Sequence, residues 1–120
     1  MRIEREMMRG AGPVAVLKLL EPAQMYGYEL VRALDERSEG VLGMGQSTLY
    51  PMLYNLQAKG LIASRWLDGD NGRPRKYYRL TRKGHKRLAH DIAQWRALVQ
   101  AMSALGIVPQ PQTRWAGAPT

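Results

Sequence analysis

The chain has 120 residues, no cysteine and a formal net charge of +8, which leaves no room for a disulfide framework, a thiolate metal site or much more than one domain with an appendage. Its longest strongly apolar run, Val14 to Leu20, is interrupted by Lys18 and falls far short of the ~20 residues of a membrane span. The charge-alternating start, Met1 to Glu6, leads into no signal-peptide apolar stretch, so a cytoplasmic protein with no membrane partner is expected.

In chain order, Gly10-Ala11-Gly12 reads as a break, which leaves residues 1–12 as an N-terminal arm or extra helical turn carrying Ile3, Met7 and Met8. Pro13 suits the first position of a new helix, where its missing N–H is not needed. Val14, Val16, Leu17 and Leu20 give that helix its buried face, ending near Glu21-Pro22. A second helix starts at about Tyr26, with Tyr26, Leu30, Val31 and Leu34 at three- and four-residue spacing. After a glycine-rich connection from Gly40 to Gly45, Ser47 is a good N-cap for a third helix, which keeps Pro51 in the tolerant first turn. Leu49, Leu53 and Leu56 form its apolar face, and Lys59-Gly60 ends it with a cation and a C-cap glycine.

Leu61 to Leu67 and Lys76 to Leu80 are short runs rich in branched and aromatic residues, and Asp68-Gly69-Asp70-Asn71-Gly72 between them holds the Asn-Gly hairpin signal. Alternation places Tyr78 and Leu80 on one face of the second strand and Arg75, Tyr77 and Arg79 on the other. Thr81 caps a last helix running to about Leu105, in which Leu88, Ile92, Trp95, Val99 and Met102 follow heptad spacing. Such a seam suits pairing with a second copy or packing on the domain's own core. From Gly106 to the end, Pro109, Pro111, Gly117 and Pro119 mark a tail, residues 106–120, expected to be disordered, with Trp115 isolated in it.

Charge is distributed as unevenly as the elements. Met1 to Glu39 sums to −1, and Gly40 to Arg87 carries ten basic residues against Asp68 and Asp70, a net of +8. One-sided excess of this kind is the footprint of a polyanion binder, although a basic run is also met as a merely solvated face.

Helix, helix, helix, strand, turn, strand, helix is the order of a winged helix-turn-helix, a mainly α (α+β) fold. Three strings make the resemblance specific: Tyr26-Gly27-Tyr28-Glu29-Leu30, then Ser47-Thr48-Leu49-Tyr50-Pro51 with Gly60-Leu61-Ile62, then Gly72-Arg73-Pro74-Arg75-Lys76-Tyr77-Tyr78-Arg79-Leu80-Thr81 with Gly84. They resemble PadR-family transcriptional regulators of the short subfamily that ends in a single C-terminal helix. Gln46-Ser47 departs from the glycine or small residue more usual before the threonine, so no operator sequence carries over. The implied organisation is a DNA-binding domain at 13–81 and a dimerisation helix at 82–105.

The partners implied are double-stranded DNA and a second copy of the chain, bound as a two-fold dimer to a pseudo-palindromic site, with repression the family's usual mode. The third helix would lie in the major groove, offering Gln46, Ser47, Thr48, Tyr50, Pro51, Tyr54 and Asn55. The hydroxyls of Ser47, Thr48 and Tyr50 suit phosphate, and Gln46 and Asn55 carry the donor-acceptor pair that reads adenine. Half-buried packing is the alternative role for Tyr50 and Tyr54. Arg73, Arg75 and Lys76 on the wing would clamp the backbone. Dimerisation would use Leu88, Ile92, Trp95, Val99 and Met102, aided by Ile3, Met7 and Met8. Similarity to multidrug-binding members implies a planar aromatic effector near Trp95, Asp91 and Arg96.

Catalysis finds little support, and no enzyme, cofactor or metal is expected. His85 and His90 diverge by ~140° on a helix and cannot grip one metal. Asp68 and Asp70 suit a turn better than a metal pair, and Gly40, Gly43 and Gly45 lack the lysine and the preceding strand of a phosphate loop. The competing class is a winged-helix protein-interaction module without DNA binding.

Overall fold

The computed structural model describes residues 1–109 as seven elements: α1 (Arg5–Leu19), β1 (Met25–Tyr26), α2 (Gly27–Arg37), α3 (Gln46–Ala58), β2 (Ile62–Asp68), β3 (Pro74–Leu80) and α4 (Arg82–Ala104). Met1–Ala89 forms one compact unit, and the described residues from His90 onward belong to a second. The fold of the first is a winged helix. No described helix is long and apolar enough to cross a membrane.

The expected break at Gly10–Gly12 is absent: α1 is one helix, with Pro13 in its interior. Proline leaves the carbonyl four residues back, that of Arg9, without its helical partner, and Arg9 is exposed, so water can serve that group. Gly12 has a different purpose from helix breaking. A Cβ there would lie 2.6 Å from Cε of Met52, so this glycine leaves room for the tip of the Met52 side chain. The segment before α1 is held as well, because the Ile3 N–H donates to the Val41 carbonyl at 3.1 Å. Met8 is buried in its own chain, which removes it from the residues expected to aid dimerisation.

Leucines make the core. Leu17 of α1, Leu30 of α2, Leu49 and Leu53 of α3, Ile62 of β2 and Leu88 of α4 are all essentially inaccessible, each contributing roughly 1.5–3 kcal/mol of apolar burial. Tyr78 and Leu80 join them from β3, on the face expected from alternation. Tyr26, expected on the second helix, lies instead in a short strand. β1 pairs antiparallel with β3, giving the sheet order β1-β3-β2. The Tyr26 N–H then donates to Glu29 Oε1 at 3.0 Å, so one residue ends the strand and caps α2.

Between α2 and α3 the chain turns on Glu39 and Gly40, both at positive φ, while Ser38 Oγ donates to the Leu34 carbonyl and accepts from the Leu42 N–H. α3 opens two residues before the position expected from Ser47. Gly45 is its N-cap, with no side-chain hydrogen bond. Glycine is only slightly poorer than serine at an N-cap, and its carbonyl accepts from Thr48 and Leu49. Pro51 is consequently in the second turn, inside the helix. At its other end α3 closes in a Schellman motif, Gly60 N–H to Gln57 O and Leu61 N–H to Leu56 O, with Gly60 at φ +75°.

Thr81 caps α4 as expected. Its Oγ1 accepts the Gly84 N–H at 3.0 Å and donates to the Gly60 carbonyl at 2.7 Å, which ties the start of α4 to the end of α3. α4 terminates in a second Schellman pair, Ile107 N–H to Met102 O and Gly106 N–H to Ser103 O. Of the tail expected to be disordered, residues 110–120, including Trp115, lie outside the described residues.

Candidate nucleic-acid interface

α3 buries Leu49, Leu53 and Leu56 and exposes all seven of the residues expected to read DNA: Gln46, Ser47, Thr48, Tyr50, Pro51, Tyr54 and Asn55. At ~100° per residue the centre of the exposed face is Ser47, Pro51 and Tyr54. Thr48 and Met52 lie on one flank, Tyr50 and Gln57 on the other. Gln46 and Asn55, nine positions apart, project about 180° from each other: Asn55 lies on the exposed face beside Pro51, whereas Gln46 projects on the side of buried Leu53 and is exposed as the first residue of the helix. Tyr54 is 75% exposed and available for contact. Tyr50 is held: its hydroxyl and ring pack so closely on Gly27 that a Cβ there would meet them, which fits the packing role for this residue.

The absence of a side-chain cap has a use. The amides at the start of α3 face solvent beside exposed Ser47 and Thr48, and the helix dipole adds partial positive charge there. Proline at position 51 removes the usual donor to the Ser47 carbonyl, so this exposed turn carries unpaired donors and an unpaired acceptor together.

On the other side of Tyr50 stands the wing. β2 and β3 pair from Ile62↔Leu80 out to Asp68↔Pro74, and the tip is closed by Gly69 N–H to Arg73 O and by Asn71 Oδ1 accepting from the Arg73 N–H. Gly72 sits at φ +81°, a conformation that favours glycine. Arg73 is exposed at the tip. Arg75 and Lys76 are half-buried rather than free. The Arg75 guanidinium stacks 4.4 Å from the centre of the Tyr26 ring, which meets Tyr77 edge-on at 5.4 Å. Lys76 Nζ lies 5.7 Å from the Tyr78 ring. Cation–π contact at this range favours a defined side-chain position without neutralising the charge.

Period-two alternation along β2 places Ser64 and Trp66 on the face of Ile62, toward α3. Ser64 Oγ donates to Gln57 Oε1 at 3.1 Å, bonding wing to helix. Trp66, opposite Lys76, is 65% exposed and lines a cleft of about 420 Å³ with Tyr50, Tyr28 and Lys76. Sequence reasoning passed over this tryptophan, although counting in twos from Ile62 identifies its face. Burial pushes the Tyr78 hydroxyl above the ordinary tyrosine pKa, and Tyr50 nearby adds to the effect, so the phenol at the floor of this cleft stays a neutral donor.

A polar helix face beside a cationic two-stranded wing is the geometry of a duplex reader, and residues 16–90 match the transcriptional regulator PadR-like family. The chain belongs to that family. This PadR-like protein is therefore a DNA-binding regulator of transcription. It is similar to a PadR-family regulator from Eggerthella lenta, 37% identical with a TM-score of 0.73, over 83% of this chain and 85% of that one. A PadR-like regulator from Bacillus cereus is 26% identical with a TM-score of 0.75, over 83% and 95%. An uncharacterized protein from Lysinibacillus sphaericus is 28% identical over 78% of this chain and 85% of its own length.

One dimerisation residue expected from the heptad needs correction. Leu88 is 1% exposed within its own chain and offers no surface to a partner; it is a core residue of the winged domain. Of the remaining seam, Ile92 and Met102 are half-buried while Trp95 and Val99 are exposed, with Leu98 exposed beside them. Asp91 is half-buried and Arg96 exposed, on the same stretch of α4 as Trp95.

Proposed function

We propose that this PadR-like protein is a homodimeric repressor that binds a pseudo-palindromic operator. What supports the reading is the exposed face of α3 centred on Ser47, Pro51 and Tyr54, with Arg73, Arg75 and Lys76 on the wing beside it. α3 enters the major groove and the wing grips the adjacent backbone. Direct readout falls to Asn55 on the exposed face, with Gln46 reachable only at the N-terminal end of the helix. The other exposed polar groups of α3 take phosphate and set register.

A dimer supplies what one chain lacks, since a single reader spans only a half-site. Trp95, Leu98 and Val99 form an exposed apolar stripe on α4, and with Ile92 and Met102 they make the pairing surface. A second copy covers such a stripe and fixes the distance between the two readers. The same exposed indole is a stacking platform for a planar aromatic effector, with Asp91 and Arg96 beside it, and ligand occupancy between two copies of Trp95 would change the spacing of the readers.

Gel shift or anisotropy at two salt concentrations tests the reading. Wild type should bind an operator selected from a random duplex pool, with affinity falling steeply as salt rises. Replacing Arg73, Arg75 and Lys76 by Gln should flatten the log–log salt slope by about 2–3, at ~0.9 per lost phosphate contact. Salt-independent binding, or none, would favour a protein-interaction module.

A further inference from the structure

Residues 1–39 carry a net charge of −1, and nothing in the sequence suggests that they touch nucleic acid. The structure places part of this segment beside the reader. An open groove of about 690 Å³ runs between the N-terminal segment and the start of α3, with Arg2, Arg5 and Arg9 on one side and Gly45, Thr48 and Pro51 on the other. Glu4 and Glu6 alternate with these arginines in sequence, yet neither lines the groove; Asp35 approaches its Arg2 end, its Oδ1 and the Arg2 guanidinium both lying against Gly43, while Arg5 and Arg9 have no carboxylate in the lining. Among the described residues none of the three arginines has an ion-pair or hydrogen-bond partner. Arg5 and Arg9, four apart on α1, stand on one face of the helix, where like charges repel at a small local cost.

Their position is fixed by packing. Ile3 is hydrogen-bonded to Val41, Met8 is buried, and the Met52 side chain of α3 lies against Gly12 of α1. The arginine groove meets α3 on its Thr48–Met52 flank. The wing meets it on the opposite flank, through Tyr50 and through Gln57 bonded to Ser64. An α-helix is ~10 Å across and the major groove ~12 Å wide, so a helix seated in it has one phosphate rim along each flank.

We propose that Arg2, Arg5 and Arg9 form a second phosphate clamp, gripping the strand opposite the one held by the wing, so that each reader is braced on both rims of the groove. This rests on the DNA-binding reading above, and it assigns the N-terminal segment a role in affinity rather than in dimerisation.

The test uses the full chain, the selected operator duplex and a mixed-sequence duplex. Arg2→Gln/Arg5→Gln/Arg9→Gln should weaken binding to both duplexes by the same factor, tenfold or more, and flatten the salt slope by about 2–3. The selected sequence should not change. Ethylation interference should lose phosphates on one strand in this variant and on the other strand in the wing variant. Should the triple variant misfold, Arg5→Gln and Arg9→Gln singly should each flatten the slope by about 0.9. Wild-type affinity and slope in the arginine variants, with the wing variant weakened, would overturn the second clamp while leaving DNA binding intact. A wild type that binds neither duplex would overturn both.

Discussion

Replacing Gly84 by Ala is a one-methyl change whose sign depends on a single backbone contact. Gly84 is the third residue of α4, where alanine would ordinarily gain up to ~1 kcal/mol of helix propensity. A Cβ at this position, however, would lie 2.0 Å from the Leu61 carbonyl oxygen and 3.0 Å from its carbon, against a normal C···O approach of about 3.3 Å. The oxygen cannot step aside, because it accepts the Thr81 N–H at 3.1 Å and belongs to a buried residue at the start of β2. α4 must therefore retreat by more than ~1 Å, an overpacking cost of about 1–3 kcal/mol, and the Thr81 cap that it pulls on is worth about 1 kcal/mol more.

The net expectation is a loss of roughly 1–3 kcal/mol, or a midpoint about 5–20 °C lower at roughly 4–8 °C per kcal/mol. Gly10→Ala supplies the control. It also lies inside a helix, but a Cβ there has nothing within 4 Å, so it should stabilise by about 0.5–1 kcal/mol. Thermal unfolding followed by circular dichroism, at one fixed protein concentration because an oligomer's midpoint depends on it, measures both. If Gly84→Ala proved as stable as Gly10→Ala, the close approach of α4 to β2 would be wrong.

Trp95→Ala should shift sedimentation from dimer toward monomer and cost at least tenfold in operator affinity while leaving the winged domain folded; a planar aromatic dye bound by wild type should no longer bind. Asn55→Ala should relax base preference in a selection experiment, and Gln46→Ala should change it less, since Gln46 points about 180° from Asn55, on the side of buried Leu53. Tyr78 gives an alkaline signature: its pKa is raised by burial and by Tyr50, so its contribution is fully present below the unfolded value near 10 and is lost as pH rises through the folded value. Urea midpoints compared between about pH 9 and about pH 11 should therefore fall less for Tyr78→Phe than for wild type.

Legibility followed the range of the interaction. The leucine periodicities, the Gly60 and Thr81 helix ends and the alternation that buries Tyr78 and Leu80 are local, and all were readable from spacing. Three features with tertiary causes were not. Gly10-Ala11-Gly12-Pro13 resembles a helix break because local rules penalise both residue types, whereas Gly12 is set against Met52. Tyr26 scans as helical until β3 is present to pair with it. Leu88 fits a heptad equally well whether it meets a partner or its own core, and only its burial decides.

By itself, the sequence determined a winged helix-turn-helix with an exposed polar third helix, a cationic hairpin and a long apolar-striped final helix, because each is written in periodicity, capping and charge. The tertiary structure alone decided how those charges are arranged around the reader. Arg75 is stacked on Tyr26, Trp66 is turned toward α3, and Arg2, Arg5 and Arg9 are brought to the flank away from the wing. A net charge summed along the chain cancels those arginines against Glu4 and Glu6; in space the arginines stand along the groove beside α3, and Glu4 and Glu6 do not line it.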